Sequence, residues 1–318
     1  MKTSHQKLME RLITHHDVIA SLIQERPVHY VDIPVYGNIG DLLIMQGTLA
    51  FARKHQIQLH QLSAYFNFHP HWVGKHEVVM FQGGGNFGDL YPGPQQTRER
   101  TVAQLPGNRI IILPQTIQFK SPQAYAACCA LLSRHPDLHI FVRDQKSYEL
   151  AQPMSRHVYL APDMAHQLWM VHRTTHEPAR RHLGIMRTDD EAAGGAGRSG
   201  FDLVTDWPAL VGRREILARN THRLLRALYL AGLDKGLVTP ASKLWIKWAN
   251  TLVRDAINLY SGFEYITTDR LHGHILACLM DIPHTVIDNS YGKNMSYATQ
   301  WTADSDIVQL AAEPVTSP

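Results

Sequence analysis

Two stretches of the 318-residue chain repeat one pattern, Gly-Asn-x-Gly-Asp: residues 37–41 in "YGNIGDLLI" and residues 85–89 in "FQGGGNFGDLYPGP". Each follows an apolar run. Glycine lets a chain turn sharply and lets backbone N–H groups come close to a ligand. The aspartate that closes each pattern, Asp41 or Asp89, can cap the following helix or act on a proton. Three glycines in a row, 83–85, exceed what a turn requires. A third stretch, "TTDRLHGHILACL" (267–279), carries the opposite charge. Thr268 or Asp269 would cap a helix whose first turn holds Arg270 and His272. A helix N-terminus beside an arginine suits a phosphate or a carboxylate. The dipole disfavours arginine at that end, so an anion should compensate it. His272 can donate a proton near neutral pH. His274, two residues on, points elsewhere and reads as structural. In "NSYGK" (289–293), Lys293 follows the next apolar run.

These residues need a scaffold, and the runs between them supply one. Strands are expected at 28–35, 77–81, 109–113, 138–142 and 157–160, with helices between several of them, 121–134 the clearest. Near-continuous apolar strands joined by helical crossovers argue a parallel sheet covered on both faces. Ligands bind such sheets at the carboxyl edge. Asn38 and Asp41, Asn86 and Asp89, Gln115, Arg143 with Asp144, and Asp163 would all gather there. The two glycine loops would thus be neighbours. The polar stretch 172–182 closes a first domain, 1–172. A second is expected at 180–290, with helices near 208–231 and 241–260, a strand at 263–269 and the Arg270 helix. Residues 291–318 would pack back on the first domain. The fold class expected is α/β, two doubly wound Rossmann-like domains facing a cleft.

Composition narrows the partners. Apolar residues make up 44% and charged residues 19%, which excludes a disordered chain. The net charge of +3 is too weak for a nucleic-acid footprint and suits an anionic substrate. The 20 histidines are scattered without ligand spacing, and three cysteines make no disulfide framework or zinc pattern. No metal and no cofactor are expected. Residues 1–25 read as an amphipathic helix rather than a signal peptide, and no apolar run is long enough to span a membrane.

Taken together, "VYGNIGDLLI", "FQGGGNFGDLY", "ILPQTI", "FVRDQKSYE", "APDMAH", "TTDRLHGHILACL" and "IDNSYGKN" span roughly residues 30–300 in order. In this combination the sequence resembles the polysaccharide pyruvyl transferase family. The resemblance implies a GT-B-like enzyme that moves the carboxyethylidene unit of phosphoenolpyruvate onto a sugar of a bacterial exopolysaccharide and releases phosphate. It implies His272 as the acid and Asp41 as the group that activates the sugar hydroxyl. Arg143, Arg270 and Lys293 would clamp the donor anion. Leu271, Gly40, Asn38, Gly84, Gly85, Asn86 and Gln115 complete the expected substrate contacts. The acceptor would be a saccharide, lipid-linked. The enzyme would be cytoplasmic, with peripheral contact at the inner face of the plasma membrane helped by residues 1–25. A GT-B-type nucleotide-sugar glycosyltransferase would share the glycine loops and stays open as the alternative. The acceptor sugar and the stereochemistry of the ketal stay open too.

Overall fold

The computed structural model describes residues 2–175, 177–188, 200–232, 236–288 and 292–311. Every strand pair among them is parallel. Helices α1 (Ser4–Thr14) and α2 (Asp17–Ile23) lead into β1 (Val28–Val31), then α3 (Ile39–Lys54) and β2 (Leu59–Ser63). Strands β3 (Val78–Phe81) and β4 (Gly84–Phe87), helix α4 (Pro92–Gln104) and β5 (Ile110–Ile117) follow. The half ends with α5 (Pro122–Leu132), β6 (Leu138–Val142), α6 (Gln145–Ala151) and β7 (His157–Leu160). The sheet runs β2-β1-β3-β5-β6-β7, with β4 attached to β5. Every residue of β1, β3 and β6 is buried, as expected of strands covered on both faces. Val79, Phe81, Ile110, Ile112, Ile140 and Val142 share one core with Cys128 and Leu132 of α5.

A second sheet is built from β8 (Arg180–Ile185), β9 (Leu203–Thr205), β10 (Phe263–Thr268), β11 (His284–Val286) and β12 (Val308–Leu310), in the order β12-β11-β10-β8-β9. Its helices include α7 (Trp207–Val211), α10 (Leu271–Leu279) and α11 (Lys293–Trp301). Two further helices, α8 (Arg214–Leu230) and the 24-residue α9 (Val238–Ser261), lie between β9 and β10 in the chain. The single helix expected at 208–231 is broken at Gly212, whose φ of 53° few other residues adopt.

By contacts the chain forms two compact units. One holds the first sheet, with Thr14–Gln167 and Arg213–Thr251; the other holds the second, with Met1–Ile13, Leu168–Gly212 and Leu252–Pro318. The expected spans 1–172, 180–290 and 291–318 therefore differ from the observed units at three places. Helix α1 joins the second sheet's unit, where His5 bonds the Cys278 carbonyl at 2.9 Å and Ser305 Oγ at 2.7 Å. Helix α8 and the first half of α9 join the first sheet's unit. There Trp245 donates to the Pro34 carbonyl at 2.7 Å and Ser242 to the Leu62 carbonyl at 2.9 Å. In the described part of the C-terminal segment, β12 extends the second sheet by pairing with β11. Residues 312–318 lie outside the described residues.

Candidate active site

The strand order of an open parallel sheet marks where a ligand can enter. Where neighbouring connections leave in opposite directions, the loops part and open a crevice at the carboxyl ends. In the first sheet that point lies between β1 and β3, since β1 has β2 on one side and β3 on the other. The second sheet reverses between β8 and β10. Both repeated glycine loops begin at the first reversal, and Arg270 comes directly after the second.

At the end of β1 the chain turns at Asp32, in the left-handed region with φ 70°. The strand expected to reach 35 therefore stops at Val31. Asn38 caps α3 by accepting from the Gly40 amide at 2.9 Å, which fixes Asp41 in the first turn. The second loop meets the first there. Gly84 has φ 131°, and a Cβ at Gly84 would lie 3.5 Å from Asp41 Oδ1 and 3.4 Å from Ile44. Gly83 presses still closer, 2.8 Å from the Pro114 carbonyl by the same measure. Gln82 donates to the Asp41 carbonyl at 3.1 Å. The two patterns are neighbours, as their position after adjacent strands predicts. Gly85 lies in β4 beside Gly84.

Asn86 organises the interior of this edge. It donates to Asp32 Oδ2 at 2.7 Å and accepts from Arg98 at 2.9 Å and from Gln115 at 3.2 Å. Gln115 is fully buried and also donates to the Gln82 carbonyl at 2.8 Å, while its Oε1 has no hydrogen-bond partner. Burial pushes the Asp32 carboxyl up to about 6; Arg98 and Asn86 oppose the shift and Asp41 adds to it. Tyr36 hydrogen-bonds Asp41, and loss of water together with the Asp41 and Asp32 charges drives its phenol well above the ordinary range. The edge thus groups two carboxylates with one fully buried guanidinium, and one carboxylate is poised to exchange a proton near neutral pH.

Other polar residues of the first sheet have partners within the fold. Asp89 accepts from the amides of Lys120 and Ser121, each at 2.8 Å, and these bonds hold its carboxyl low. Asp144 caps α6 through the Ser147 amide at 2.8 Å. Arg143 is nearly fully buried, ion-pairs with Asp163 and donates to Thr116 Oγ1 at 2.9 Å. The structure thus places a carboxylate against the guanidinium expected to grip the donor.

In the second sheet, α10 starts directly after β10. Arg270 holds Asp206 in a two-point fork, Nε to Oδ1 at 2.8 Å and Nη2 to Oδ2 at 2.6 Å. The same buried carboxylate accepts from the Thr188 amide and hydroxyl, each at 3.0 Å, and from the Trp207 amide at 2.7 Å. The anion that compensates Arg270 at the helix start is therefore Asp206, a partner the local sequence does not announce. Leu271 is buried, and half-buried His272 sits in the first turn of α10. Gly273 must be glycine, because a Cβ there would lie 2.4 Å from Thr268 Oγ1. That close approach seats α10 on the end of β10. Asp269 accepts from the Arg187 amide at 2.7 Å, and its partial burial raises its carboxyl. Lys293 opens α11, whose next two amides donate to Asp288 at 3.2 Å each. Residues 289–291 of "NSYGK" lie outside the described residues.

The histidine expected to be structural, His274, is fully buried. His284 donates from Nδ1 to the Ile282 carbonyl at 2.7 Å, so its Nε2 accepts from His274 Nδ1 at 2.6 Å. Thr302 lies 2.9 Å from His274 Nε2, and Cys278 Sγ is 3.8 Å from both rings. Burial lowers His284 to about 4. His274, Cys278 and His284, and separately His29, His60 and Glu77, stand close enough to hold a metal ion. The first group pairs His274 and Cys278, four residues apart on α10, with His284 from β11, whereas the second is assembled from separate elements.

Asp32 and Arg98 are the residues that sequence reasoning missed. Asp32 sits inside an apolar run. Arg98 lies in a polar helix, yet it is fully buried with its guanidinium 4.6 Å from the centre of the Phe87 ring. A signal existed in retrospect: a buried arginine needs a carboxylate nearby.

Fold and site define a mixed α/β protein with two parallel sheets of Rossmann-like character. A crystal structure of a functionally uncharacterised protein from Klebsiella pneumoniae shares this fold, with a TM-score of 0.60 at 17% identity, over 94% of this chain and 98% of that one. The chain belongs to the polysaccharide pyruvyl transferase family, whose model matches residues 38–291. It is 38% identical over 306 residues to EpsO of Bacillus subtilis, provisionally named a pyruvyl transferase, covering 94% of this chain and 92% of that one. It is also 28% identical over 245 residues to pyruvyl transferase 1 of Schizosaccharomyces pombe, covering 70% of this chain and 54% of that one.

Proposed function

We propose that this transferase takes the pyruvyl unit of phosphoenolpyruvate and places it on a saccharide as a cyclic ketal. The observation that carries the reading is the position of Arg270 and His272, at the reversal point of the second sheet and at the start of α10. Family membership supplies the reaction class. Arg270, its fork held by Asp206, contributes positive charge toward the donor anion, with Lys293 adding charge. Leu271 lines that end. His272 protonates the methylene carbon of the enol, and positive charge develops at C2. A sugar hydroxyl attacks there as Asp41 takes its proton. A second hydroxyl then displaces inorganic phosphate and closes the ketal. Asn38, Gly40, Gly84 and Gly85 shape the acceptor end. Asn86, Gln115 and Arg143 hold that end in register. The steps require no cofactor and no metal ion. The two sheets would correspond to the two halves of a GT-B-like enzyme. It would work in the cytoplasm on a lipid-linked saccharide at the inner membrane face. Family membership does not favour a nucleotide-sugar donor.

The test is product analysis. The protein is incubated with phosphoenolpyruvate and candidate lipid-linked oligosaccharides and followed by mass spectrometry. The expected result is a pyruvyl ketal on the saccharide with one inorganic phosphate released per ketal. Consumption of a nucleotide sugar instead would overturn the reading.

A further inference from the structure

Helix α8 has an inner and an outer face of unusual contrast. Its inner face packs on the first sheet's unit through Ala218 and Leu225, both buried, with His222 4.3 Å from Phe66 and Tyr229 stacked 4.8 Å from His69. The outer face should then be polar. Instead it exposes Ile216 (52%), Leu217 (47%), Leu224 (61%) and Leu230 (73%). Leu217 and Leu224 are one heptad apart and lie along one line. Arg219, Arg223 and Arg226, spaced four and three residues apart, run along the flank of the same face, all exposed. Residues 213–230 hold five arginines against a single glutamate, while the whole chain nets only +3. The positive charge of this protein is thus concentrated on one helix, and the rest of the chain sums slightly negative. In the same unit, Leu237 just before α9 and Leu244 in its first half are also exposed, the latter beside Lys243 and Lys247.

We infer that α8 is a docking helix that lies in the interface of an anionic lipid bilayer. An apolar stripe flanked by arginines is the composition of such helices. The leucines enter the acyl boundary, and the arginine stems reach back to the headgroups. Charge chooses this occupant over a second copy, because two such faces would bring ten arginines together against two glutamates. Nucleic acid would engage the arginines but leave the leucines in water. The N-terminal helices, expected from sequence to make membrane contact, cannot serve: Leu8, Met9, Leu12, Ile19 and Ile23 are all buried. The inference does not depend on the identity of the donor substrate, and its test needs no donor.

The experiment is flotation of the full-length protein with phosphatidylcholine vesicles, with and without an equal part of phosphatidylglycerol. Binding is expected to the anionic vesicles only, and to fall with salt. Each arginine near an anionic surface contributes about fivefold in partitioning, so the triple variant Arg219→Gln, Arg223→Gln, Arg226→Gln should bind about a hundredfold more weakly. Leu217→Ser with Leu224→Ser should abolish binding while leaving the unfolding transition in place, since both side chains are exposed. Failure of the wild type to float with anionic vesicles would overturn the inference, as would equal binding by the variants. A shift from dimer to monomer in the leucine variant, with no change in vesicle binding, would make α8 a self-association face instead.

Discussion

The two sheets reverse direction once each, and the side chains gathered at the two reversals differ in which groups are enclosed and which are partly open. At β1 and β3 the side chains are carboxylates and amides: Asp32, Asp41, Asn38, Asn86, Gln82 and Gln115. The one guanidinium among them, Arg98, is enclosed by Asn86, Gln95 and the Phe87 ring. At β8 and β10 cationic or protonatable side chains, Arg270, His272 and, one helix on, Lys293, stand with the carboxylates Asp206 and Asp269, each held by structural hydrogen bonds. The first set suits taking a proton from a neutral hydroxyl group. The second suits gripping an anion and giving a proton. Similar sheets, each by the same reversal rule, thus carry different chemistry at their carboxyl edges. The difference lies in the loop and helix start after each strand, not in the strand itself. It also shows in burial: the first edge keeps Asp32 enclosed enough to hold its proton to about pH 6, while the second leaves His272 half-exposed.

Breaking one edge at a time separates these roles. The largest effect is expected from His272→Ala, which should lower turnover about 10²- to 10⁴-fold with donor affinity little changed, read by steady-state kinetics beside calorimetry. Arg270→Ala should weaken donor binding by about 2–5 kcal/mol, and Arg270→Lys should not rescue it, since a point charge cannot reproduce the two-point fork to Asp206. Gly273→Ala tests how α10 is seated. Its new Cβ must displace Thr268, so a loss of about 1–3 kcal/mol is expected in urea unfolding. The smallest effect concerns pH. Native Asp32 keeps its proton to about pH 6, whereas the unfolded chain releases it near the ordinary value of 3.8. The native state therefore binds more protons across that window, and stability falls as pH rises through it. Asp32→Asn should remove on the order of 2 kcal/mol of that pH dependence, seen as urea midpoints that change less between about pH 4 and pH 7.

The motifs were legible because glycines, prolines and charged residues punctuate apolar runs, and strand–loop–helix order places them at one edge of a parallel sheet. Strand order was not legible. Nothing local in "VHYVD" says that β1 lies between β2 and β3, so the reversal points emerge only from the paired strands. Nor does amphipathicity name a helix's partner. The periodicity of residues 4–14 and 214–230 says that each must pack, yet α1 joins the second sheet's unit and α8 the first's. Short strands with polar neighbours, such as β2 and β12, escaped for want of a run. Asp206 escaped because it belongs to a different loop, 64 residues before the arginine it holds.

The division of labour between the two edges is tested most directly by calorimetric titration of phosphoenolpyruvate into three proteins: wild type, Arg270→Ala and Asp41→Asn. The account predicts that wild type and Asp41→Asn bind the donor alike, while Arg270→Ala loses most of its affinity. Donor binding lost in Asp41→Asn and retained in Arg270→Ala would contradict it.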